Sequence, residues 1–112
     1  MDAPTTLSAT AAELLDTARE HGSSGRAAHT LTGGADRMLR QTLIGLTAGA
    51  ALDEHESPGA ATLQVLSGRV VLRAGTDETE LSAGMHVGIP DSRHSLAALE
   101  DSAILLTVAK TI

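Results

Sequence analysis

Between Gly49 and His94 the chain reads GAALDEHESPGAATLQVLSGRVVLRAGTDETELSAGMHVGIPDSRH. Short apolar runs alternate there with Gly, Pro, Asp and Ser about every 8–12 residues, a punctuation that stops helices and suits the strands of an all-β sandwich or barrel. Three of the five histidines (His55, His86 and His94) fall inside this stretch, on or beside strands that must face one another. Imidazoles converging on the interior of a small barrel make a site for a metal or a small ligand.

The core of such a barrel has to be aliphatic. Apolar residues make up 42% of the 112, yet there is no Phe, Trp or Tyr. Any cavity would therefore be lined by Leu, Val, Ile, Ala and Met. The missing aromatics and the net charge of −6 both argue against nucleic-acid binding, which draws on base stacking and a basic patch. The absence of cysteine excludes disulfides, thiolate zinc sites and cysteine nucleophiles, and fits a reducing compartment. With no basic-then-apolar leader and no apolar run long enough to span a bilayer, a cytoplasmic protein with no membrane partner is expected. The length predicts one folded unit, a barrel over 26–112 preceded by a tail, short helix and flexible link over 1–25.

In chain order, Thr10 and Glu13 have capping-box spacing, and Ala11, Leu14, Leu15 and Ala18 form one stripe. They predict a helix over 10–21, stopped at Gly22, with His21 in a capping or surface role. A lone three-turn helix is marginal in water, so its stripe must pack on the barrel or on a second subunit. Residues 22–25 (GSSG) form the link. Strands are predicted over 26–32, with His29 half-exposed on the surface, and over 37–47, joined by a turn at Gly33-Gly34-Ala35-Asp36. Further strands follow over 51–57, 61–66, 69–74, 78–81, 85–89, 94–99 and 102–108. The strands at 37–47 and 102–108 are apolar on both faces. Together with the unpartnered helix stripe, they lead us to expect a homodimer.

The residues from 37 to 109 resemble the cupin family, small double-stranded β-helix (jelly-roll) barrels. Its first motif, G-x5-H-x-H-x(3,4)-E-x6-G, is matched by Gly49, His55 and Gly68. Its second, G-x5-P-x-G-x2-H-x3-N, is matched by Gly84 and Pro90, with Ser92 at the glycine and His94 one residue early. The resemblance implies an all-β cupin barrel with one short N-terminal helix. It also implies where a metal would sit: two histidines and a glutamate from the first motif, a third histidine from the second. Here His55 and His94 keep their places, Ser57 stands at the second histidine, and Ala61 or Thr62 stands at the glutamate. Two imidazoles alone rarely hold a first-row metal.

Three readings follow. The first is a binding module whose aliphatic barrel encloses a small, largely apolar ligand, oriented by His55, His94 and one or both of Gln64 and Arg40. The second is a metal-dependent enzyme of oxygenase or isomerase type, with Fe, Mn, Ni or Zn held by His55, His86 and His94. The third is a structural or regulatory cupin domain without catalysis. Gln64 has the wrong strand parity relative to Ala61, and Glu54 and Glu56 fall on the face opposite His55. No phosphate loop follows Gly33-Gly34, and no nucleophile elbow surrounds Ser92 or Ser95.

Overall fold

The computed structural model describes residues 3–21, 24–34, 36–55 and 59–110, without the side chains of His21 and His55. One helix, α1 (Leu7–His21), precedes nine strands: β1 (Arg26–Thr32), β2 (Leu39–Leu46), β3 (Ala51–His55), β4 (Ala60–Ser67), β5 (Arg69–Ala74), β6 (Asp77–Ser82), β7 (His86–Ile89), β8 (His94–Ala98) and β9 (Ser102–Ala109). All nine expected strands form, with their described ends moved by two residues or fewer; the expected end of the third strand at 57 lies outside the described residues. The helix begins three residues sooner than expected, because the Thr6 carbonyl already accepts from Thr10 N–H at 3.1 Å. Thr10 is thus inside the helix, and no capping box with Glu13 is needed to start it. The expected stop at Gly22 lies outside the described residues.

The strands make two antiparallel sheets, one ordered β1-β2-β9-β4-β7 and the other β3-β8-β5-β6. Chain-distant strands are neighbours throughout: β9 lies between β2 and β4, and β8 between β3 and β5. Alternation assigns each strand one inward row. Ile44, Leu46, Leu63, Val65 and Ile104 from the first sheet meet Val70, Leu72, Leu81, Leu96 and Ala98 from the second in one buried cluster. This is the aliphatic core that the composition requires.

The first sheet has a second buried face, which α1 covers. Ala11 packs with Leu43 and Ala103, and Leu14, Leu31, Leu66 and Leu105 close around them. The two-sided apolar pattern of β2 and β9 is thus accounted for by the helix of the same chain. Gly45 makes the approach close: a Cβ there would lie 3.0 Å from the Leu14 carbonyl carbon and the Leu15 nitrogen. A polar clamp holds the other end of the helix. Arg19 Nη2 donates to Asp101 Oδ2 at 2.6 Å, and Asp101 Oδ1 accepts from Ala48 N–H at 2.9 Å. One carboxylate thereby joins α1, the β2–β3 turn and the β8–β9 turn. Among the described residues, no helix is long and apolar enough to cross a membrane.

Candidate functional site

The barrel interior narrows to a cavity of about 30 Å³ near the start of β8. Seven aliphatic side chains from both sheets line it, among them Leu52, Leu63, Leu72 and Ile104. Among the described residues, the one polar side chain on its wall is His94, which is 4% exposed. The chain turns through Pro90–Arg93 just before β8, and this turn brings the Ser92 carbonyl within 2.9 Å of His94 Nδ1. A carbonyl only accepts, so Nδ1 carries the proton; in the neutral ring Nε2 then bears the lone pair. Fixing the tautomer in this way turns the basic nitrogen into an acceptor or ligand atom.

His55 is the register partner of His94 across the β3–β8 ladder, and β3 carries one extra residue between Leu52 and His55 relative to β8. Its side chain, like the whole of Ser57, lies outside the described residues. His86 does not join them. It heads β7, opposite Gln64 on β4, and is exposed, while the alternate residues Val87 and Ile89 pack against the core. The expected His55/His86/His94 set therefore fails at His86, which strand alternation turns to the outer face of the opposite sheet. Gln64 shares that outer face and is exposed, so it is corrected as an interior ligand group as well. Arg40 has the parity of Ile44 and Leu46, but its side chain lines a separate cavity with Thr30, Gly33, Gly34 and Lys110. Of the four residues expected to orient a barrel ligand, only His94 has a described side chain on the cavity wall.

A metal of the kind cupins hold does not fit the described donors. Ala61, one of the two candidates for the glutamate position, shares its face with Leu63 and Val65 and offers no oxygen; Thr62 falls on the other face. Among the described residues, no group of three or more His, Asp or Glu side chains is placed to hold a metal ion. The cavity offers, among the described residues, one imidazole in an otherwise aliphatic wall. That wall suits an apolar group with one hydrogen-bonding atom. The described part of the wall lacks the several oxygen or nitrogen ligands that a cation needs. The electrostatics elsewhere are those of a solvated surface. The Asp101 carboxyl is held below its usual range, first by the Arg19 hydrogen bond and then by Ala48 N–H.

No family model and no curated protein matches the chain. Solved structures do. A conserved protein of unknown function from Streptococcus pyogenes is 26% identical, with a TM-score of 0.72 over 80% of this chain and 78% of that one. A cupin superfamily protein from Desulfitobacterium hafniense is 16% identical, with a TM-score of 0.71 over 77% and 78%. The cupin domain of an XRE family transcriptional regulator from Enterobacter cloacae is 15% identical, with a TM-score of 0.65 over 78% and 98%. Likeness at such low identity is carried by the barrel itself, and the two-sheet strand order agrees with it: the chain has the double-stranded β-helix fold seen in the cupin structures.

Proposed function

We propose that the chain is a binding module that admits a small aliphatic group to the barrel cavity beside His94 and works without a bound metal. The observation that carries this is the wall itself, seven aliphatic side chains and one buried imidazole. Ligand pockets for organic molecules usually measure roughly 300–1,000 Å³. The 30 Å³ here takes only the end of a chain, with the remainder of the ligand outside. Among the described residues, the His94 imidazole is the polar group placed to orient the inserted group. Ethanol, 1-butanol and butyrate, titrated against the methyl resonances of Leu63, Leu72 and Ile104, test the reading. Saturable shifts that weaken in a His94→Leu variant support it. Shifts that never saturate, with no small molecule retained in native mass spectrometry, refute it. Elemental analysis tests the metal-free part: stoichiometric Fe, Mn, Ni or Zn that disappears in a His55→Ala variant would overturn that part and restore the enzyme reading.

The tight interior also favours a second reading, a structural or regulatory domain whose barrel is only a core. The Enterobacter cloacae neighbour, a domain of a transcriptional regulator, supports it by analogy of fold. The same titration separates the two, since an inert core gives no saturable shift with any of the three probes.

A further inference from the structure

The cations of this acidic chain are distributed unevenly. Of eight Lys and Arg residues, Arg19, Arg69, Arg73 and Arg93 pair with carboxylates, and Arg26 donates to the Ala51 carbonyl. The remaining three are Arg37, Arg40 and Lys110. Among the described residues none of these makes an ion pair, and all three lie at one end of the first sheet. Arg40 and Lys110 line a single cavity of about 480 Å³ with Thr30, Gly33 and Gly34. Arg37 lines the adjoining one, which shares Gly33 and also includes Asp36.

Backbone geometry holds the two cations together. Lys110 N–H donates to the Met38 carbonyl at 2.9 Å, which sets the end of β9 beside the start of β2. Gly33, at φ +122°, folds the hairpin back until a Cβ there would lie 3.0 Å from Arg40 Cα. The left-handed conformation and the close approach both need a residue without a side chain. The outcome is a concavity lined by Arg40, Lys110, Thr30 and two glycines; among the described residues no carboxylate lines it, while Asp36 Oδ1 lies 3.4 Å from where a Cβ on Gly34 would stand. We propose that this concavity is a binding site for an oxyanion, a phosphate or carboxylate group, gripped by Arg40 and Lys110. Guanidinium forks and ammonium groups are the side chains that bind such groups directly. Unpaired cations held together in a protein of net charge −6 would be relieved of mutual repulsion by such a ligand. The site is separate from the barrel cavity and stands whether or not that cavity binds anything.

Sodium phosphate and sodium acetate, titrated at constant ionic strength against the amide resonances of Gly33 and Gly34, provide the test. At least one of the two is expected to give saturable shifts. Affinity should fall tenfold or more in Arg40→Gln and in Lys110→Gln, and stay unchanged in Arg73→Gln, whose arginine is already paired with Glu78. Saturation with phosphate alone assigns the site to phosphoryl groups, and saturation with acetate alone to carboxylates. Non-saturating shifts with both would overturn the proposal. So would binding that survives Arg40→Gln, or a loss of equal size in Arg73→Gln.

Discussion

Leu63→Ala tests whether the interior of this barrel is a packed core or a vacant pocket. Leu63 is 2% exposed, belongs to the main core cluster and borders the cavity beside His94. Truncating a leucine in a rigid core costs about 2.7–5 kcal/mol, rising by about 24 cal/mol for each Å³ of void left behind. On that coefficient the existing 30 Å³ already costs the native chain about 0.7 kcal/mol. In the variant the new void joins the old one, and β4 is fixed between β7 and β9, so little collapse can offset it. The upper half of the range, about 4 kcal/mol, is expected.

Urea unfolding followed by far-ultraviolet circular dichroism measures this cost. With a denaturant slope of about 1–3 kcal/mol/M, the midpoint should fall by roughly 1–3 M. Leu39→Ala, at a position 47% exposed, serves as the control and should change stability by no more than about 0.5 kcal/mol. Adding 1-butanol should recover part of the loss in Leu63→Ala, because a ligand that binds only the folded state adds RT ln(1 + [L]/Kd). A cost below about 1 kcal/mol at unchanged slope would refute the reasoning. It would mean that the cavity wall yields freely and that the aliphatic interior is not a close-packed core.

Three further outcomes follow from the same contacts. Gly45→Ala should loosen the helix, since its Cβ would press on the Leu14–Leu15 backbone at 3.0 Å; we expect a cost of about 1–3 kcal/mol, with amide exchange accelerated in α1 and not in β5. Gly68→Ala should cost at least about 1–3 kcal/mol for its positive φ alone, and more because the new methyl would meet the Asp101 carbonyl and the buried Ser102 hydroxyl; thermal melting measures it. The Asp101 carboxyl is held below its ordinary value by Arg19 and by Ala48 N–H, so its contribution to stability is present above the unfolded carboxyl pKa and is lost as pH falls through the lower folded value. The difference in melting temperature between wild type and Asp101→Asn should therefore be constant between about pH 5 and 8 and shrink as pH falls below the ordinary carboxyl range of about 4; a difference that does not shrink on acidification would remove the clamp from the account.

What could be read from the sequence was local and periodic. Glycine, proline and aspartate fix where strands end, so the described ends of all nine strands could be placed within two residues. Alternation of Ala61, Leu63 and Val65 against Thr62 and Gln64 already gave the faces of β4. The same alternation, Val87 and Ile89 against His86 and Gly88, was present around His86; following it would have removed that residue from the metal set. The helix start was misplaced because Thr10 and Glu13 match a capping pattern that the backbone does not use when the Thr6 carbonyl offers an earlier bond. The extra residue in β3 before His55 had no sequence signal, since bulges arise from how two distant strands meet.

The residues hardest to foresee are those joined by topology alone. Arg40 reads, with Gln41, as a polar exception in an apolar strand, and Lys110 falls past the last expected strand; no local pattern links them. They meet because β9 runs antiparallel to β2, with Leu39 opposite Ala109 and Arg40 opposite Val108. This pairing follows from the jelly-roll order and from no local pattern. The same crossover brings Leu63 and Leu106 into register and so builds the wall of the barrel cavity. Both candidate sites thus rest on the position of β9 between β2 and β4. In the barrel this placement converts inward-facing positions into packed aliphatic walls, leaving room beside His94 for little more than a chain end. At the hairpin it gathers cations that, among the described residues, no carboxylate pairs with. The interior has already satisfied its own side chains by packing, whereas the hairpin retains charge in search of a counterpart. On physical grounds the stronger attraction for a ligand therefore lies at the Arg40–Lys110 concavity, and the barrel's main contribution to it is to hold the two strand ends in place.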